Sequence, residues 1–110
     1  MESSGQWMWA EYDNMTIESE DNNYKLHVTG YHGNAGDAFN AVRDNWQANG
    51  MMFSTLDVDN DLKSTGNCAS NRGAGWWFGY CSMSSLNGKA KIIWFSTVSA
   101  SRMMLQCDAR

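Results

Sequence analysis

Hydrophobic and polar residues alternate in two stretches of the first third of the chain. Residues 15–17 follow a two-residue period, and residues 24–29 follow it again. This period is typical of half-buried β-strands, because successive side chains of a strand point to opposite faces. The segment between them, residues 18–23, is wholly polar and favours a turn. We therefore predict a β-hairpin over residues 11–30, and the tryptophan-rich residues 7–9 indicate a further short strand.

The middle and the end of the chain predict shorter elements. Residues 38–47 place apolar side chains at three- and four-residue steps, which is consistent with a short helix capped by Asp37 or with a long loop. Residues 51–56 and residues 91–98 are apolar runs that predict buried strands, and residues 103–105 are expected to continue as an edge strand.

Residues 57–91 are expected to be irregular. Asp, Asn, Gly and Ser dominate this segment, and aromatic residues such as Trp76 and Trp77 interrupt it. Loops longer than about 15 residues are usually functional when they are not disordered. The aromatic content argues against disorder, so this segment is the expected location of function.

Composition limits the classes of protein to consider. The 110 residues are 43% hydrophobic and 13% aromatic, which is enough for one domain with a core. A formal net charge of −4 argues against a nucleic-acid-binding module. No stretch approaches the roughly 20 apolar residues of a membrane span. The first six residues show no signal-peptide pattern, which leaves a cytosolic chain or a trimmed mature fragment as alternatives.

The chain has three cysteines whose spacing fits neither a redox pair nor a zinc site. Cys68 and Cys81 would form either a disulfide, in an oxidising compartment, or two buried thiols, and their spacing alone favours neither. Cys107 is then a free thiol or a link between chains.

The acidic segment 57–61, Asp-Val-Asp-Asn-Asp, is a candidate cation site. Carboxylates at alternate positions of a loop can converge, and calcium accepts six to eight oxygen ligands in flexible geometry. The EF-hand pattern does not fit, because Leu62 stands where a glycine is required and Cys68 where a glutamate is required. A solvated acidic turn is the alternative.

Residues 73–77, Gly-Ala-Gly-Trp-Trp, combine a flexible backbone with large aromatic surfaces. Such a segment suits the C–H faces of sugars or acetyl groups, but tryptophans are also effective core residues. His27 and His32 have no evident nucleophile partner, and no phosphate-binding or dinucleotide-binding motif occurs, so we predict no enzymatic activity.

Several segments together resemble the fibrinogen-like domain, the family that includes ficolins, tachylectins, angiopoietins and tenascins. The matching segments, in chain order, are EYDNMTIESEDNNYKLHVTGY, GYHGNAGDAF, NGMMFSTLDVDND, GNCA, GWWFGYC and SSLNGK. These segments lie within residues 11–89, and the resemblance covers about residues 9–94, which correspond to the carboxyl-terminal half to two-thirds of a full domain. The resemblance implies an α+β fold, a partial fibrinogen-like domain with a small antiparallel sheet, a short helix and a long irregular calcium and ligand loop region. Residues 1–110 would form one truncated domain, with the sheet portion in 1–56 and the calcium loop and a reduced ligand-binding subdomain in 57–110.

The same resemblance implies a calcium site and a disulfide. The carboxylates of Asp59 and Asp61 match the family's calcium ligands, and the backbone carbonyls of Lys63 and Thr65 complete the set. The family disulfide matches Cys68–Cys81.

A ligand pocket beside this disulfide is also implied. The peptide bond before Cys81 is cis in many relatives. Arg72 replaces an aromatic pocket residue, Ser82 replaces a frequent histidine, and the segment after residues 86–88 is much shorter than in the family. The candidate ligand-binding residues are Arg72, Trp77, Tyr80, Cys81 and Ser82.

The resemblance implies a secreted, extracellular, calcium-binding recognition module of lectin type, which binds a glycan or an acetylated ligand in innate immunity. The alternative is a protein-interaction or oligomerisation fragment that has lost the glycan pocket. It would form homo-oligomers through Cys107 or through exposed sheet edges. Neither hypothesis involves nucleic acid or a membrane span.

Overall fold

The computed structural model describes residues 2–3, 5–40, 45–63, 66–88 and 91–106. In this part of the chain, short strands form four small antiparallel sheets, with the orders β1-β2, β3-β4, β5-β6 and β7-β8-β9. The strands are β1 (Glu2–Ser3), β2 (Gln6–Trp7), β3 (Ala10–Ile17), β4 (Leu26–Gly33), β5 (Phe53–Ser54), β6 (Trp76–Trp77), β7 (Ser84–Ser85), β8 (Ile92–Trp94) and β9 (Ser96–Val98). The helical elements are α1 (Cys68–Arg72) and two 3-10 turns, Glu20–Asn22 and Ala38–Asn40.

The predicted hairpin is formed by β3 and β4. Ile17 lies opposite Leu26 at the turn end, and Ala10 lies opposite Gly33 at the other end. The polar segment between the strands forms a 3-10 turn, as its composition indicates. Tyr24 differs from the prediction, because it lies in the turn and its side chain is exposed. Its φ is 57°, and that of the preceding Asn23 is 54°.

One face of this hairpin packs on the core. Leu26 and Val28 of β4 are fully buried, and Tyr12 and Met15 of β3 pack against the same cluster. In β4 the neighbouring residues His27 and Thr29 are exposed, as the two-residue period requires, whereas Tyr12 and Met15 of β3 are three residues apart and both residues between them are exposed. The hairpin therefore covers one side of the aromatic core.

Phe39 lies at the centre of that core. Its ring centroid is 5.1 Å from that of Tyr12, 5.9 Å from that of Trp76 and 5.1 Å from that of Trp94. These three partners belong to the hairpin, to the β5-β6 sheet and to the β7-β8-β9 sheet. Phe39 thus connects three of the sheets through aromatic contacts.

Residues 38–47 were consistent with a short helix or a long loop. They contain one 3-10 turn, Ala38–Asn40, and residues 41–44 lie outside the described residues. The carboxylate of Asp37 was expected to cap this segment. It accepts hydrogen bonds from Tyr12 Oη at 2.6 Å and from Asn40 Nδ2 at 3.2 Å. Asp37 therefore fixes the turn to the hairpin through side-chain donors.

This contact predicts a loss of stability at alkaline pH. Burial, followed by the hydrogen bond to Asp37, raises the pKa of Tyr12 far above its ordinary value of 10.0. The folded state therefore keeps the phenol proton where the unfolded state loses it. The stabilisation is complete below pH 10 and falls as the pH rises beyond it.

We expect Tyr12→Phe to reduce the slope of the free energy of unfolding against pH between about pH 10 and 11. Urea unfolding at each pH measures this slope. Tyr80→Phe, at an exposed residue, is the control and should retain the wild-type slope. An unchanged slope in Tyr12→Phe would contradict the prediction.

The carboxyl-terminal strands differ from the prediction. The expected single strand over residues 91–98 is a tight antiparallel pair, β8 and β9, because the chain reverses at Phe95 with a φ of 63°. The expected edge strand over residues 103–105 is wrong. These residues are exposed and extend past β9 without pairing to a described strand.

The region expected to be irregular contains α1, β6 and β7. Asn67 begins α1 by accepting a hydrogen bond from Ser70 N at 3.2 Å, and Gly73 ends it with a φ of 79°. The apolar run over residues 51–56 is reduced to β5, which pairs with β6. Within the described residues, helices are far too short to cross a membrane.

Candidate recognition site

A disulfide joins Cys68 to Cys81, whose Cα atoms are 5.1 Å apart. It connects the first residue of α1 to the segment that follows β6, and both cysteines are buried. The pairing implied by the family resemblance is therefore confirmed, and the alternative of two free thiols is excluded. Cys107 lies outside the described residues.

The backbone turns sharply at Cys81. No cis peptide bond occurs in the described residues, so the cis bond implied before Cys81 is absent, and Cys81 itself has a φ of 51°. Tyr80 N donates to Asn45 O at 2.6 Å. A Cβ at Gly79 would overlap the same carbonyl oxygen, so this close approach requires glycine. The Asn45 carbonyl thus fixes the segment before Cys81.

The acidic loop after β5 is held to its surroundings by Asn60. Asn60 N donates to Ser54 Oγ at 3.0 Å, and Asn60 Nδ2 donates to Phe53 O at 3.0 Å. Farther along, Leu62 N donates to Gly79 O at 2.8 Å. The loop is therefore attached both to β5 and to the segment that carries the disulfide.

The carboxylates of this loop bind backbone amides. Asp59 Oδ1 accepts from Asp61 N at 3.2 Å. Asp61 Oδ1 accepts from Lys63 N at 2.9 Å, and Asp61 Oδ2 accepts from Cys68 N at 2.9 Å. Asp57 instead accepts from Thr55 Oγ1 at 2.7 Å. Asp61 therefore links the loop directly to the first residue of α1.

The donor groups in the described part of this loop decide whether it fits a calcium ion. In residues 45–63 and 66–88, no group of three or more His, Cys, Asp or Glu side chains is arranged to hold a metal. The family set needs only two carboxylates, those of Asp59 and Asp61, together with backbone carbonyls. Neither carboxylate has a cationic partner among the described residues, and each oxygen retains a further lone pair. This all-oxygen, doubly negative set suits a hard divalent cation, although Thr65 lies outside the described residues.

The candidate ligand-binding residues occupy different environments. Trp77 is buried, its Nε1 donates to Tyr24 O at 2.9 Å, and its ring packs against Phe53. Tyr80 is 47% exposed, whereas Ser82 is buried. Trp77 thus contributes to the core, and Tyr80 to the surface.

Arg72 and Ser82 are brought together beside the disulfide. Arg72 Nη2 donates to Ser82 O at 2.9 Å, and both residues line a cavity of about 300 Å³. Trp46, Lys91 and Phe95 line the same cavity and were not singled out from the sequence. Their positions in the cavity depend on contacts between distant segments, and no local pattern in the sequence indicates these contacts.

Comparison with known proteins identifies the class. Residues 1–103 match the family described as fibrinogen beta and gamma chains, C-terminal globular domain. The chain belongs to this family. The expected fold, a partial fibrinogen-like domain with small antiparallel sheets and little helix, is therefore confirmed.

Individual relatives come from several animals. Protein scabrous of Drosophila melanogaster is 38% identical over 106 residues, which cover 88% of this chain and 12% of that protein. Human angiopoietin-related protein 2 is 46% identical over 78 residues, which cover 71% of this chain and 14% of that protein. A techylectin-like protein of Phoneutria nigriventer is 37% identical over 81 residues, which cover 74% of this chain and 34% of that protein. The chain thus spans a minor part of each relative.

Solved structures show the same fold. The fibrinogen-like globe domain of human ANGPTL2 superposes with a TM-score of 0.69 and 43% identity over 84% of this chain and 38% of that chain. A lamprey fibrin D-dimer, in complex with the peptide ligand Gly-His-Arg-Pro-amide, superposes with a TM-score of 0.67 and 35% identity, covering 74% of this chain and 28% of that chain.

Proposed function

We propose that this chain is a secreted, non-enzymatic recognition module of the lectin type, which binds a glycan or an acetylated ligand in innate immunity. The observation that carries the proposal is the cavity lined by Arg72, Ser82 and Trp46, in which Ser82 is the residue that follows the disulfide-bonded Cys81. Aromatic rings and hydroxyl groups in one concave surface suit sugars. The similarity to a techylectin-like protein supports a lectin role, and the disulfide supports an oxidising, extracellular location.

Calcium would stabilise this site from the neighbouring loop. Asp59 and Asp61 would supply carboxylates, and Lys63 and Thr65 would supply backbone carbonyls. When bound, the cation neutralises the two carboxylates. Asp61 accepts from Cys68 N, and Cys68 is bonded to Cys81, so the loop connects to the residue before Ser82. The calcium loop and the cavity are thus connected through one hydrogen bond and the disulfide.

We expect calcium to raise the melting temperature, since an ion that binds only the folded state stabilises it by mass action. The gain is about 2.7 kcal/mol at a free concentration one hundred times the Kd. Asp59→Asn retains the acceptor for Asp61 N but removes a charge, and should abolish the shift. Differential scanning fluorimetry in calcium and in EDTA measures the effect.

Asp57→Asn is the matched control, because Asp57 accepts a hydrogen bond from Thr55 and lies outside the proposed set of calcium ligands. It should retain the calcium response. A melting curve that is identical in calcium and in excess chelator would exclude the metal site.

The lectin proposal is tested on a resin that carries N-acetyl groups. Retention in calcium, followed by elution with EDTA or with free N-acetylglucosamine, would support it. Passage of the folded protein without retention would contradict acetyl recognition.

A second candidate is a protein-interaction or oligomerisation fragment. The relative in complex with a peptide, a fibrin D-dimer, favours this class. Non-reducing electrophoresis separates the two candidates in part. A covalent dimer that is lost in Cys107→Ser would support oligomerisation. A protein that migrates only as a monomer would exclude Cys107 as the link between chains.

A further inference from the structure

Only one asparagine of the 110 residues is followed, two positions later, by a serine or a threonine. This segment is Asn14-Met15-Thr16, and the residue between the two is not proline. Asn-X-Ser/Thr is the acceptor sequence for N-linked glycans in proteins of the secretory pathway. An acceptor asparagine also has to be accessible, which depends on where Asn14 lies in the fold.

Asn14 and Thr16 lie on the outer face of the β3-β4 hairpin, the face that points away from the core. Both residues are exposed, whereas Met15 between them packs against the core. Thr29, which lies opposite Asn14 in the register, is exposed as well. Because successive side chains of a strand point to opposite faces, the amide of Asn14 and the hydroxyl of Thr16 are presented together on the solvent side.

The edge of the hairpin leaves room for a large group on β3. Within the described residues β3 pairs with β4 alone, so no strand covers its other edge. The outer edge of β4 is covered instead, since Leu26 N donates to Met51 O at 3.1 Å and Gly50 N donates to Leu26 O at 2.7 Å. Asn14 therefore lies on the open strand of the pair, where a bulky, hydrophilic glycan meets no neighbouring strand.

The amide of Asn14 contributes nothing to the fold that the described residues show. Other asparagines of the chain hold the backbone: Asn49 Nδ2 donates to Val28 O at 3.1 Å, and Asn60 Nδ2 donates to Phe53 O at 3.0 Å. The side chain of Asn14 has no hydrogen-bond partner among the described residues. Asparagine is also depleted in β-strands. Folding therefore gives no reason for an asparagine in the middle of β3, whereas a role as glycan acceptor does.

We propose that Asn14 carries an N-linked glycan. The donor is an oligosaccharide on a lipid pyrophosphate, and the catalyst is an oligosaccharyltransferase. A bond forms between Asn14 Nδ2 and C1 of the first N-acetylglucosamine, while the bond between C1 and the phosphate oxygen breaks. The amide nitrogen loses one proton, and the lipid pyrophosphate leaves with the bonding electron pair.

This inference rests on the secreted location in the proposed function, which the Cys68–Cys81 disulfide supports. It adds a covalent modification at a surface separate from the proposed ligand site. None of the described residues that line the 300 Å³ cavity belongs to the β3-β4 hairpin. The glycan thus covers the outer face of the hairpin and is attached to no residue of the cavity.

Expression of the chain behind a secretion leader in mammalian cells tests the modification. We expect the secreted protein to lose the mass of an oligosaccharide when it is treated with peptide-N-glycosidase F. This enzyme converts the asparagine that carried the glycan to aspartate, so peptide mass spectrometry should find the conversion at position 14.

Variants of the acceptor sequence locate the glycan. Asn14→Gln and Thr16→Val should each abolish the mass loss, and Thr16→Ser should retain it, because serine also completes the acceptor sequence. Asn71→Gln changes an exposed asparagine outside any acceptor sequence and is the matched control. Thr16→Val keeps Asn14 and a β-branched residue in the strand, so it decides the outcome if Asn14→Gln is not secreted.

A secreted, disulfide-bonded wild-type chain that peptide-N-glycosidase F leaves unchanged would overturn the inference. A glycan that persists in Thr16→Val would place the modification elsewhere and would overturn it too. Retention of an unglycosylated chain on the N-acetylated resin would reject this inference and leave the lectin proposal standing. Glycosylation at Asn14 in a chain that passes the resin without retention would support the inference and reject acetyl recognition.

Discussion

Phe39→Ala is expected to lower the free energy of unfolding by about 3–5 kcal/mol, the range for removing a fully buried aromatic ring. Phe39 is 5% exposed and contacts Tyr12, Trp76 and Trp94. These partners come from three different sheets, so the surrounding structure cannot collapse into the space without moving several strands. The large cost follows from the cavity that remains.

Phe95→Ala is the matched control for this substitution. Phe95 is the same residue type but is 41% exposed. We expect it to cost less than half as much as Phe39→Ala. Urea unfolding, followed by tryptophan fluorescence, measures both variants. Equal costs for the two phenylalanines would contradict the central role of Phe39.

Removal of the disulfide is the second large effect. Cys68 and Cys81 are 13 residues apart, and a bridge that closes a loop of about 15 residues contributes about 3 kcal/mol, mainly by restricting the unfolded chain. We expect the double variant Cys68→Ser, Cys81→Ser to lose about this amount. The wild-type chain should lose a similar amount under a reducing agent.

Cys107→Ser provides the control, because it removes a cysteine outside this bridge. Its free energy of unfolding should remain at the wild-type value, and reduction should still destabilise it. The measurement is urea unfolding with and without a phosphine reductant. A double variant as stable as the wild type would show that the bridge does not stabilise the fold.

The hairpin of β3 and β4 could be predicted because its information is local. The alternation around Leu26 and Val28 defines the buried face, and the polar residues between the strands define the turn. The Cys68–Cys81 pairing could not be derived from spacing alone. It required the family resemblance, since two buried thiols have the same spacing as a disulfide.

Other features depend on contacts that no local pattern carries. Residues 91–98 have the composition of one strand, yet the positive φ of Phe95 divides them into a hairpin. Helix α1 was missed although Asn67 and Gly73 provide ordinary capping signals, because five residues are too few for a helical period. The cavity beside α1 brings Arg72 together with Lys91, which precedes β8, and no local pattern in the sequence singles out Lys91.

Gly88 couples the length of the β7-β8 return to the position of Lys91. No side chain fits at this position while the β7-β8 return keeps its present length, because the Lys91 carbonyl already fills the space. An insertion in the return would release the glycine and would also carry Lys91 away from Arg72. Residue 88 therefore accepts a side chain only if this connection is lengthened as well.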